Sequence, residues 1–154
     1  MCSLPFKVKN SKGIQGMATS LMRYIGIEAL LAARKSQGLR NDPKVNSKNF
    51  PPQPGEVGEK LLDWKLWNSV QDGQFQYPLQ IVRQMAGEGY RPATVQELIQ
   101  YANDNPSLEM KVVELGQEWF DDEVWHVYVW GAVAIDGYGG GIHTCQLLGV
   151  KEVS

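Results

Sequence analysis

At 154 residues, with 43% hydrophobic and 21% charged residues, the chain has the length and composition of one globular domain. Its formal net charge of −2 gives no general attraction to nucleic acid, so a nucleic-acid partner is not expected. The charge is uneven: residues 1–50 hold nine Lys/Arg against two acids, and residues 51–154 hold six against fifteen. A basic N-terminal segment beside an acidic body is the simplest account.

Residues 1–16 are polar and Lys-containing, with no apolar run. They read as a poorly ordered segment rather than a secretory signal. From Ala18 or Thr19 to about Ser36 the spacing of Leu21, Met22, Ile25 and Ala29 predicts a helix, with Gly38 as its C-cap. Arg23 and Glu28 interrupt the apolar stretch, so no membrane span is expected. Pro43, Pro51, Pro52, Pro54, Gly55 and Gly58 exclude a long helix or central strand and make 41–58 a Pro-rich strap, anchored by Phe50 and Val57. Lys60 to Val70 reads as a short helix, with Trp64 and Trp67 three apart on one side. Gln71-Asp72-Gly73 is a turn, and Pro78 opens a helix to about Ala86.

The clearest local instruction is Gly89 to Asn105, GYRPATVQELIQYANDN. Thr94 and Glu97 form a T-x-x-E capping box, in which each side chain satisfies the other's backbone N–H. Val95, Leu98, Ile99 and Ala102 form an apolar stripe, and Pro106 ends the helix. Beyond it the pattern turns to strands, about 111–120, 124–135 and 142–150. The first two form a hairpin closing at Asp121–Glu123. The last pairs beside the second, after the glycine loop Asp136–Gly141. The expected fold class is therefore α+β, with three to four helices followed by a small antiparallel sheet, all in one domain over 17–154.

Two constellations bear on function. His143 and Cys145 share a strand face. With His126 across from them they could form a metal site, or Cys145 could act as a thiol nucleophile with a His base. Tyr90, Trp119, Tyr128, Trp130 and Tyr138 gather around the sheet and glycine loop, and such aromatic surfaces suit protein or small polar ligands. Cys2 and Cys145 are the only cysteines, which fits a reducing, cytoplasmic compartment. No cofactor is called for.

The segment GYRPATVQELIQYA, with the following VVELGQEW and the closing CQLLGVKE, resembles the C-terminal module of bacterial and phage proteins that carry an R-P-A-T-x-x-E-L segment. More distantly it resembles C-type-lectin-like and formylglycine-enzyme-like modules. Pro92-Ala93 stands where those modules have Leu-Pro, and their paired cysteines and calcium-binding carboxylates are missing. The resemblance implies a fold and carries no functional residue with it. The expectation is a non-catalytic binding or protein-interaction module. The alternative is a small hydrolase or metal-assisted enzyme built on His126, His143 and Cys145.

Overall fold

The computed structural model describes residues 18–34, 40–137 and 144–153. The capped helix forms as its sequence dictates. It is α3, Val95–Asp104, with Thr94 Oγ1 accepting from the Glu97 amide at 3.3 Å and Glu97 Oε1 accepting from the Thr94 amide at 2.9 Å. The helix opened by Pro78 also forms, as α2, Pro78–Gly87.

The rest departs from helices followed by a small sheet. The described residues hold three helices and one eight-stranded mixed sheet, together with a two-stranded hairpin. Ala18–Arg23, expected as helix, is strand β1, and only Ile27–Ala32 is helical, as α1. Gly26, at φ 98, separates the two. That left-handed geometry suits glycine and breaks the helix predicted through it.

Lys60 to Val70 is likewise not helical. Glu59–Asn68 is β2, the longest strand, and Val70–Gln71 forms β3 of the small hairpin with β4, Gln74–Phe75. In β2, Leu62 and Trp64 are buried in the larger core. Trp67 lies on the opposite sheet face, because side chains three apart on a strand point opposite ways. Both periods were present in these residues; pairing with β1 on one side and the C-terminal strand on the other selects the strand.

The strand expected over 111–120 is two short pieces, β6 (Val112–Val113) and β7 (Trp119–Asp121), following β5 (Arg91–Pro92). Both pair antiparallel with β8, Glu123–Trp130. Val113 faces Tyr128 and Trp119 faces Trp125, so the five residues Glu114–Glu118 arch out opposite only His126 and Val127. The hairpin turn at Asp121–Glu123 forms, with Asp122 at φ 67. The strand expected over 124–135 is broken at Gly131 (φ 83), which folds the chain back into β9, Ala132–Gly137.

The last strand, β10 (Gln146–Glu152), does not pair with β8. It pairs antiparallel with β2 and β5 and parallel with β6, and so sits in the middle of the sheet.

Registers define two faces. Leu62, Trp64, Val112, Val127, Val129, Leu148 and Val150 point into the main core, which α1, α3 and the strap residues Val45 and Phe50 cover. Trp67, Val113, Cys145 and Leu147 point the other way, beneath Ile81 and Met85 of α2 and Tyr90. No helix among the described residues is long and apolar enough to cross a membrane.

Gly149 lies on the second face, close against Trp67 and Met85. A Cβ there would stand 2.7 Å from Trp67 Cζ3 and 3.3 Å from Met85 Sδ. Gly149→Ala is expected to destabilise the fold by about 1–3 kcal/mol, the usual cost of overpacking a tight site. The shift of the urea unfolding midpoint measures it.

Candidate functional site

The capping box is the floor of a larger polar assembly. Glu97 is 0% exposed, yet its carboxylate takes four donors. Arg91 donates in bidentate fashion, Nη1 to Oε1 at 2.8 Å and Nη2 to Oε2 at 2.7 Å. The Tyr24 hydroxyl donates to Oε2 at 2.6 Å, and the Thr94 amide to Oε1. A buried carboxylate survives only with such partners. Burial alone would raise the Glu97 carboxyl. The hydrogen bonds and charge of Arg91, then Tyr24 and Thr94, outweigh it and hold the group below the ordinary carboxylate value. Burial, with the hydrogen bond to Glu97 next, pushes Tyr24 far up, so it stays a neutral donor.

The Thr94 hydroxyl also donates to Glu56 Oε2 at 2.6 Å. Glu56 belongs to the strap, where the Gln53 amide donates to its other oxygen at 2.7 Å and Gly55, at φ 89, closes the turn. The arch docks beside it. The Gly116 amide donates to the Ala93 carbonyl at 2.9 Å, an approach that leaves no room for a Cβ. Gln117 Oε1 accepts from the Val95 amide at 2.9 Å, and its Nε2 donates to the Pro51 carbonyl at 2.8 Å.

These elements border an open cleft of about 490 Å³ at one end of the sheet. Its walls are the Gln53–Glu56 turn, the Arg91–Thr94 junction, Leu115 and Gly116 of the arch, and Tyr24, Lys60 and Glu152 at the strand ends. Lys60 Nζ bonds Glu152 at 3.0 Å and lies 5.8 Å from the Tyr24 ring centre. Arg91 keeps 44% of its side chain exposed while Glu97 holds its inner edge. Preformed clefts of this kind, with a few convergent polar groups, are the usual form of a small-ligand site.

Of the aromatic residues singled out from sequence, Tyr90 and Tyr128 pack in the cluster of the second sheet face, and Trp119 packs against the main core. Tyr90 is buried edge-on to Trp67 at 5.3 Å, with Lys151 Nζ 4.6 Å from its ring. Trp119 packs edge-on to Phe50 at 6.4 Å. Tyr128 is half-buried beneath Lys111, at 4.4 Å. Trp130 is 60% exposed, and Tyr138 lies outside the described residues.

His126 and Cys145 are apart, and His143 lies outside the described residues. Gln146, the neighbour of Cys145, is level with Val112 and through it with Val129, three residues along β8 from His126, roughly 10 Å. No group of three His, Cys, Asp or Glu among the described residues is arranged to hold a metal ion. Cys145 is buried, and burial pushes its thiol up to about 11, away from the nucleophilic thiolate.

His126 instead meets the arch. Its Nδ1 is 3.3 Å from Glu114 Oε2 and its Nε2 is 3.8 Å from Glu118 Oε2. Glu114 is fully buried and accepts from the Val127 and Gln117 amides, both at 2.8 Å. Burial raises the Glu114 carboxyl. For His126 burial pulls downward, but Glu114 first and then Glu118 raise it above its ordinary value.

Sequence reasoning missed Glu56, Lys60 and Tyr24 as site residues. Arg91 was missed as well; only Thr94 and Glu97, the capping box, carried a local signal. Comparison of the chain with protein-family models, curated proteins and solved structures returned no match.

Arg91→Met would strip the buried Glu97 charge of its cation and is expected to cost about 3 kcal/mol. The pH dependence should change with it. The folded value of Glu97 is depressed, so its contribution is full above the ordinary carboxylate value and is lost as pH falls through the folded one. Urea midpoints measured from neutral to acid pH should therefore fall less steeply in the variant. For His126, whose folded value is raised, the contribution is full below the ordinary histidine value and is lost as pH rises through the folded one. An NMR titration should give His126 a midpoint above 6.5.

Proposed function

We propose that the protein is a non-catalytic binding module that takes a small polar ligand in the cleft between Tyr24, Glu56, Lys60 and Arg91. One observation carries this reading. Arg91, paired with the buried Glu97 carboxylate and bonded through Nη1 to the Pro92 carbonyl at 3.3 Å, keeps 44% of its side chain exposed and lines an open space of about 490 Å³. A cation held in this way needs no reordering to meet a ligand, which lowers the entropic cost of binding. The walls come from the strap, the arch, α3 and the strand ends, so the fold itself supports the cleft.

A second reading, a protein-docking role, has separate support. Val70, Phe75, Tyr77 and Leu79 are all exposed within ten residues around the β3–β4 hairpin, and Phe75 stacks edge-on with Tyr77 at 5.3 Å. Concentrated exposed apolar groups of this kind suit a partner surface. The hydrolase alternative draws little from the geometry, since the Cys145 thiol is raised and His126 is engaged with Glu114 and Glu118.

Thermal-shift screening against a panel of small polar metabolites tests the cleft. At least one compound class is expected to raise the melting temperature of the wild type, and Lys60→Met is expected to reduce that shift. A panel in which no compound stabilises the wild type would count against the reading.

A further inference from the structure

Ion pairs around the cleft leave one charge over. Lys60 is matched by Glu152 and Arg91 by Glu97. Glu56 is matched by nothing: it is 8% exposed, lines the cleft, and forms no ion pair with any Lys, Arg or His among the described residues. Two neutral donors, the Thr94 hydroxyl and the Gln53 amide, are its hydrogen-bond partners. The N-terminus of α3 adds a partial positive charge, but Glu97 already draws on it. Each carboxylate oxygen has a further acceptor position beyond the one donor it receives.

A buried carboxylate without a cation is costly, and a cation delivered by a ligand would lower that cost. Within the cleft the ring of Tyr24 already sits near one ammonium, that of Lys60. Arg91 lines the same cleft with 44% of its side chain exposed, and a guanidinium carries five N–H donors, more than the three bonds it makes to Glu97 and the Pro92 carbonyl. An ammonium with a carbonyl oxygen two bonds from the carbon that bears it answers both demands.

Resting on the cleft reading above, we propose that the ligand is an α-amino carbonyl compound, whose ammonium docks on Glu56 and whose carbonyl or carboxylate oxygen faces Arg91. A free amino acid and the N-terminus of a peptide share this chemistry. The cleft volume of about 490 Å³ accommodates either one amino acid or the first residues of a peptide.

The experiment is an NMR titration of the full chain, following the amides of Gly55, Glu56, Arg91 and Gly116. Three probes are compared: a dipeptide amide with a free amine, the same dipeptide amide N-acetylated, and a pool of free amino acids. Saturable shifts are expected with the free-amine dipeptide, the amino-acid pool or both, and the pattern distinguishes the two sources. Acetylation is expected to weaken binding about tenfold or more, the worth of a hydrogen bond to a charged group. Glu56→Gln should lose a similar factor, with its thermal midpoint checking the fold. Glu152→Lys, an exposed change at the rim, should weaken the amine several-fold without disturbing the buried network. Equal binding of the acetylated probe, or unchanged binding by Glu56→Gln, would overturn the amine proposal. If the acetylated probe shifts these amides as tightly as the free amine, the cleft reading survives and the amine proposal does not. If nothing shifts them, both fall.

Discussion

A single carboxylate with no solvent contact, that of Glu97, ties together parts of the chain that are far apart in sequence. It receives Tyr24 from the end of β1, Arg91 from β5 and the amide of Thr94 at the start of α3. None of these bonds would be worth much at the surface. Out of water each is stronger, and each is also obligatory, because an unmet buried charge costs several kcal/mol. The network therefore fixes where α3 begins relative to the sheet. The Gly26 amide reinforces this by donating to Gln96 Oε1 at 2.9 Å, which joins α1 to the same helix.

Glu114 repeats the arrangement within the arch. It is buried, accepts two backbone amides and meets His126. Through Gln117 the arch then reaches the Val95 amide and the Pro51 carbonyl. The first turn of α3 is thus held from three directions, by its own capping box, by the arch and by the strap through Glu56. The cleft is the space these three leave between them. Part of its lining follows from this, since Glu56, Arg91 and Thr94 are held there by hydrogen bonds to buried backbone or carboxylate groups.

The mixed sheet follows from the same constraint. β10 enters the centre, with β2 on one side and β5 and β6 on the other. Ala93 donates to the Leu148 carbonyl, so the segment leading into α3 is itself stitched to β10. β10 thus lies at the centre of the sheet, between β2 and the β5–β6 side. That position also explains why Gly149 has to be small, since Trp67 and Met85 both press on it.

The residues alone determined the features whose causes are local. The T-x-x-E box with Pro on both sides defined α3, Pro78 opened α2, and the acidic turn at Asp121–Glu123 closed a hairpin, because caps and turns are satisfied by neighbours within a few positions. The segments Ala18–Arg23 and Glu59–Asn68 were open to either period. Their strand state was decided by partners: Leu62 stands opposite Ser20 in β1 and Glu152 in β10. The break at Gly131 and the arch at Glu114–Glu118 were invisible for the same reason, since a run rich in β-branched and aromatic residues gives no hint of where its hydrogen-bonding partner ends. The cleft was the least legible of all. Glu56, Lys60 and Tyr24 are ordinary residues where they stand in sequence, and only the tertiary structure, by burying Glu97 and Glu56 beside Thr94, brought their polar groups to one cleft.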